Sequence, residues 1–168
     1  MMRDKQQKGT KTKNRDLRDP ESEAKEALYV TESGECGLLA MAFKSALITA
    51  AHKNIGIERT LVRKSLFLRC EDRNRVVAFT DSAEPIVRED MVRVGAGSAD
   101  IRYRPEFAWW KAEIEFELDS ELLQPKDFLC LVNRAGFGVG ISEWRPEKGG
   151  EYGRFEIDPS IPFHAEEF

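Results

Sequence analysis

A chain of 168 residues with 41% hydrophobic residues, ten Phe and 33% charged residues is long enough to bury a core and too apolar to be disordered. No apolar run approaches the roughly 18 residues needed to cross a bilayer, and no signal-peptide core follows the basic start, which argues against a membrane-spanning or exported chain. Cys36, Cys70 and Cys130 are odd in number, far apart and without a CxxC pair, so the expectation is reduced, buried thiols in a cytosolic compartment rather than a disulfide frame or a zinc knuckle.

The net charge of −4 is unevenly spread. Residues 1–18 hold Arg3, Lys5, Lys8, Lys11, Lys13, Arg15 and Arg18 against Asp4 and Asp16, a local +5, which leaves −9 for residues 19–168. This start has no apolar periodicity after Met1–Met2 and reads as a flexible basic arm, residues 1–18, ahead of a single domain, residues 19–168. It is either an electrostatic hand for nucleic acid or a solvated tail.

In chain order, DPESEAKEALYV opens a helix at Asp19–Pro20, where early acids suit the N-terminus. TESGE is turn-like. GLLAMAFKSALITAAHKN predicts the clearest helix, with Leu39, Phe43, Ala46, Leu47 and Ala50 on one face and Lys44, Thr49 and Lys53 pointing away. SLFLRC and RVVAF read as strands of a hairpin around EDRN, and PIVREDMVRV and ADIRYR as a second pair joined by GAGS. KAEIEFELD alternates as one strand, with Ala112, Ile114, Phe116 and Leu118 to the core and Glu113, Glu115 and Glu117 to water. PKDFLCLVNRAG predicts a helix with Pro125 in its first turn and Gly136 as the C′ stop, and GRFEID a closing strand. The skeleton is that of an α+β protein. It approaches the ferredoxin-like β-α-β-β-α-β arrangement, an antiparallel sheet with two helices whose first strand is missing or replaced; ALYV (Ala27–Val30) is the one short stand-in.

Two segments concentrate basic and aromatic side chains. RYRPEFAWWK holds Arg102, Tyr103, Arg104, Phe107, Trp109, Trp110 and Lys111, although adjacent Trp109 and Trp110 on a strand face opposite ways and one belongs to the core. GFGVGISEWRPEKGGEYGRF holds Gly136, Phe137, Gly138, Gly140, Trp144, Arg145, Lys148, Tyr152 and Arg154. Aromatic rings stack on exposed bases, guanidinium and ammonium groups neutralise phosphates, and glycines admit close backbone approach. The same mixture also suits a protein interface. No GK[ST] follows GFGVG, and the stretch comes after a helix rather than between a strand and a helix, so it is neither a Walker A loop nor a dinucleotide fingerprint. His52 and His164 are the two histidines, and no nucleophile–base pair or metal-ligand cluster is visible; no cofactor, metal or catalytic residue is expected.

AFKSAL, REDMVRVG with ADIRYRPEF, and AGFGVGISEWRPEKGGEYGRF resemble an uncharacterised family of bacteriophage and prophage proteins over about Glu35 to Ile157. That resemblance implies an additional strand-like segment before the charged start, an internal start at Met1–Met2 and the cytoplasm of a bacterial host. Gly136-Phe137-Gly138 is similar to the first half of the glycine-rich loop of the RAMP superfamily of CRISPR proteins, and Gly153-Arg154-Phe155 to a degraded second half. The resemblance implies RNA-backbone contacts at Gly136, Phe137, Gly138 and Gly140, and in nuclease members a histidine near the first helix, for which His52 is the counterpart.

The expected function is non-enzymatic binding of single-stranded nucleic acid, RNA or DNA. Phosphates fall to Arg102, Arg104, Arg145, Lys148 and Arg154, stacking to Tyr103, Trp144 and Tyr152, and close backbone approach to Gly136–Gly140. The alternative is a phage structural or protein-interaction component that docks on copies of itself, or on a phage or host protein, through the aromatic-glycine surface. The acidic body favours this alternative, since −9 over residues 19–168 repels a polyanion unless the positive charge is segregated.

Overall fold

The computed structural model describes residues 18–54, 56–95, 98–161, 164 and 166, with the side chains of all of these except 52–54, 94 and 98. Residues 1–17 of the basic arm and the His52 side chain therefore lie outside the described residues. The described residues are mixed α/β, with four α-helices and several small antiparallel sheets. In chain order its elements are α1 (Pro20–Glu26), β1 (Gly37–Leu39), α2 (Ala40–Asn54), α3 (Arg59–Ser65), β2 (Leu66–Arg69), β3 (Val76–Ser82), β4 (Ile86–Val94), β5 (Ser98–Glu106), β6 (Trp110–Ala112), β7 (Glu115–Leu118) and α4 (Pro125–Gly138), followed by a short 3₁₀ turn at Pro146–Lys148. The described residues form two compact units: 18–28 with Glu84–Phe107, and Tyr29–Ala83 with 108–161. Among the described residues no helix is long and apolar enough to cross a membrane.

The first unit is a helix on a hairpin. Helix α1 starts where expected: the Asp19 carboxylate accepts from the Glu21 N–H, Pro20 occupies the first turn, and Glu21 and Glu23 sit at the positive end of the dipole. Strands β4 and β5 pair antiparallel from Val94 opposite Ser98 down to Ile86 opposite Glu106, the partnership that the intervening GAGS predicts. Helix α1 packs on β5 and β4, with Ala24 buried.

The second unit holds the apolar core. Helices α2 and α4 pack together. Phe43, Ala46, Leu47 and Ala50 of α2 meet Phe128, Leu131 and Ala135 of α4, so these four residues of the predicted α2 face are buried. Leu39 is the exception on the α2 face. It is exposed because Gly37–Leu39 form a strand and the helix starts only at Ala40, whose N–H donates to the Arg75 carbonyl at 2.8 Å.

Two expectations about the strands are corrected. SLFLRC and RVVAF do not pair with each other: β3 lies between β1 and β6, and β2 pairs with β7. The reasons are local. A Cβ on Gly37 would sit 2.1 Å from the Val77 carbonyl oxygen, so only glycine lets β1 approach β3 this closely, and Arg69 on β2 is bound by Glu115 and Glu117 of β7. KAEIEFELD is two strands, because residues 110–112 pair with β3 across a register shift and 115–118 pair with β2. Its alternation survives the break: Ile114, Phe116 and Leu118 pack on the core while Glu113, Glu115 and Glu117 are exposed.

Helix α4 runs past Gly136 to Gly138, and GRFEID forms no named strand. Gly136 remains helical because it packs directly on the 153–157 segment: the Phe155 N–H donates to its carbonyl at 3.3 Å, and a Cβ there would sit 1.7 Å from the Phe155 carbonyl oxygen. The Phe155 ring meets Phe43 edge-on at 5.7 Å. Trp110 is the core member of the tryptophan pair, stacked on Phe79 and edge-on to Phe43, while Trp109 is exposed. All three cysteines are free, but none is fully buried: Cys36 and Cys70 are half-buried, and Cys130 is exposed because it lies two residues past Phe128 and off the buried face of α4.

Candidate nucleic-acid interface

The expected site residues fall into both units. Arg102, Tyr103 and Arg104 are consecutive on β5 in the first unit. Gly136, Phe137 and Gly138 form the last turn of α4 in the second, and Gly140, Trp144, Arg145, Lys148, Tyr152 and Arg154 follow it in the loop.

In the first unit, hairpin register decides the chemistry. Arg88 lies opposite Arg104 and Asp90 opposite Arg102, so one face of the hairpin carries a run of alternating charge. Arg88 holds both oxygens of Asp90 at 3.0 Å and reaches Glu106 at 3.2 Å, and Arg104 donates to Asp90 at 2.8 Å. Burial of Asp90 on its own raises its pKa. Hydrogen bonds and charge from Arg88 and Arg104 outweigh that and hold it below the ordinary carboxylate value. Asp100 follows the same balance, with desolvation opposed by Arg18, Arg102 and the Ile101 N–H, and it too titrates low.

An open groove of about 770 Å³ runs between α1 and this hairpin. Arg18, Arg93, Arg102 and Arg104 line it with Tyr103, against Glu23 and Glu26. Arg18 is the pivot. Its Nε and Nη2 donate to Glu23 at 2.7 and 3.0 Å, its Nη1 to Asp100 at 3.0 Å, and its guanidinium lies 5.9 Å from the Tyr103 ring. Three of its five N–H donors are thus engaged among the described residues. Arg102 meets Asp100 at 3.2 Å with half of its side chain still exposed. Sequence reading misses Arg18 and Arg93 as groove residues. Arg93 is within its reach: counting back from GAGS sets it opposite Ala99, beside the Arg102 strand.

In the second unit the glycines serve the loop itself. Besides Gly136 against Phe155, a Cβ on Gly150 would meet the Trp144 carbonyl oxygen at 1.8 Å. The Ile141 N–H donates to the Gly153 carbonyl at 2.9 Å, and the Tyr152 N–H to the Trp144 carbonyl at 3.1 Å. The loop is therefore laced to its own backbone. Ser142 and Trp144 are held at φ of 61° and 53°, a left-handed conformation that costs a non-glycine residue about 1–2 kcal/mol. Arg145 is also turned inward: it donates to Glu147 at 3.0 and 2.8 Å and to the Ser142 carbonyl at 3.1 Å. Phe137, Trp144 and Tyr152 remain exposed, as do Lys148 and Arg154. A small cavity of about 130 Å³ separates this loop from α2, between Ser45, Thr49, Gly140 and Arg145.

Residues 18–28 and 84–107 of the first unit carry six Lys/Arg against nine Asp/Glu, the arm residues 1–17 ahead of them six against two, and the remainder of the sequence fourteen against nineteen. Among the described residues no group of three or more His, Cys, Asp or Glu is placed to hold a metal ion. No protein-family model, no curated protein and no solved structure matches this chain.

Proposed function

We propose that this chain binds single-stranded nucleic acid through the α1–hairpin groove, assisted by the basic arm, without catalysing a reaction on it. The observation that carries the reading is the position of Arg18. It lines the groove beside Tyr103, Arg93 and Arg102, and it is the last residue of the arm whose six other cations are Arg3, Lys5, Lys8, Lys11, Lys13 and Arg15. Those cations lead directly into Arg18 in the sequence, and their attraction for a polyanion seated on the groove adds to its affinity. Tyr103 offers a ring on which a base stacks. Arg104, bound to Asp90, holds the hairpin face in shape.

Fluorescence anisotropy of a labelled oligonucleotide of about 20 residues tests this. Arg102→Glu and Tyr103→Ala are each expected to lower affinity about tenfold, as one phosphate contact or one stacked base would. Unchanged binding in both variants would remove the proposal. A phage or prophage source and a bacterial cytoplasmic setting belong to the same proposal and rest on the motif resemblance. So does a ferredoxin-like relation of the second unit, whose order is one strand, two helices, four strands and a helix.

A second reading has its own observation. Phe137, Trp144 and Tyr152 are exposed on the acidic unit, at 70%, 42% and 46%, where a polyanion is repelled and a protein partner is not. Light scattering after size exclusion separates the readings: a nucleic-acid-free assembly that Trp144→Ala dissolves favours this second one.

A further inference from the structure

The β4–β5 hairpin has its polarity reversed. Its ionic face, with Arg88, Asp90 and Arg104, is the one that burial reaches, while Met91 is 74% exposed and Ile101 opposite it 39%. Alternation along the strand puts Glu89, Met91 and Arg93 on that open face, and Glu89 and Arg93 are both exposed. Along β4 the strip is anionic, apolar and cationic, with each charge about 7 Å from Met91.

Such a strip is complementary to itself. A two-fold axis running across the strands at the level of Met91 and Ile101 sets each of these on its own copy and brings Glu89 opposite the other copy's Arg93, twice. The same operation places Tyr103, which pairs with Glu89, across from the small Ala99, which pairs with Arg93. Charge and size are thus matched by one symmetry element. We propose that the occupant of this face is a second copy of the chain, in a face-to-face two-fold dimer centred on Met91.

The strip measures about 20 by 10 Å, so each copy contributes roughly 200 Å², well under the roughly 800 Å² per partner of a stable interface. The dimer is therefore weak and transient, and it weakens further as salt screens its two ion pairs. Sedimentation equilibrium of the full chain from about 20 μM to 2 mM, without nucleic acid, measures it directly. Glu89→Arg and Arg93→Glu each set like charges face to face and are expected to weaken self-association at least about fivefold. The two single variants mixed in equal amounts, and the double swap carrying both changes, are expected to restore it. Met91→Glu abolishes it by placing two carboxylates on the axis. All three positions are exposed, so an unchanged thermal midpoint verifies the fold of each variant. A wild-type chain that stays monomeric at about 2 mM overturns the proposal, as do single variants that associate like wild type or a double swap that fails to recover. Arg93 and Tyr103 also line the α1 groove, so nucleic acid is left out throughout and the outcome does not depend on whether the groove binds it.

Discussion

Two glycines in one helix turn are expected to respond oppositely to the same substitution. Gly138 ends α4 with nothing within 4 Å of an added methyl, so Gly138→Ala should stabilise the second unit by a few tenths to about 1 kcal/mol through helix propensity alone. Gly136 sits two residues earlier, where the methyl would lie 1.7 Å from the Phe155 carbonyl oxygen and 2.7 Å from its carbon. The 153–157 segment must then move away. Its departure breaks the Phe155 N–H to Gly136 carbonyl bond, worth about 1 kcal/mol. It also loosens the Phe155–Phe43 edge contact, about 0.5–1.5 kcal/mol, and uncovers apolar surface worth about 1–2 kcal/mol. Set against the propensity gain of about 1 kcal/mol, the net loss is about 1.5–3.5 kcal/mol. All three tryptophans, Trp109, Trp110 and Trp144, lie in the second unit, so urea unfolding followed by tryptophan fluorescence reports on it. A Gly136→Ala variant as stable as Gly138→Ala would refute the close packing of the 153–157 segment on the helix.

Asp90→Asn removes the negative charge that Arg88 and Arg104 share and turns one of its two acceptor oxygens into an amide donor facing them, and should destabilise the first unit by about 1–3 kcal/mol, read as faster amide exchange over 86–106. Because the folded pKa of Asp90 is depressed, its stabilisation is complete above the unfolded value near 3.9 and is lost as pH falls through the folded value; the Asn variant should lack that acid-dependent component, and an identical acid profile would contradict the pairing. Asp158, held by the Ser160 hydroxyl and N–H and by Lys111, should titrate at about 2 in a carboxyl NMR titration and return towards its ordinary range when Lys111→Met and Ser160→Ala are combined. A native value in the ordinary carboxylate range would show that the 158–160 turn is not formed.

What was readable in the sequence was whatever one element decides alone. The 3.6-residue spacing of Phe43, Ala46, Leu47 and Ala50 set the buried face of α2, and strict alternation around Phe116 set the inward side of β7 even though the run is divided. Partner choice was readable for β4 and β5, which GAGS joins, but not where it turns on contacts distant in sequence: Gly37 against Val77 fixes β3 beside β1, and Arg69 with Glu115 and Glu117 fixes β2 beside β7. Gly136 misled for the same reason. By local propensity it ends a helix, and only the approach of Phe155 explains a glycine inside one. At the candidate site Arg102 and Tyr103 were legible as a basic-aromatic strand. The coupling of Arg104 to Asp90 and the arrival of Arg18 from beside α1 required the hairpin register and the docking of a second element.

Joint binding of a nucleic-acid strand by the groove and the arm predicts a particular salt dependence, to be measured with and without residues 1–17. If about five cations engage phosphates, the full chain should show a slope of about −3 to −4 in log K against log salt on a single-stranded oligonucleotide. Removing Arg3, Lys5, Lys8, Lys11, Lys13 and Arg15 should reduce the slope to about −1 to −2, with the residual binding still sensitive to Arg102→Glu. Absence of binding at low ionic strength, or a slope unchanged by loss of the arm, would contradict it.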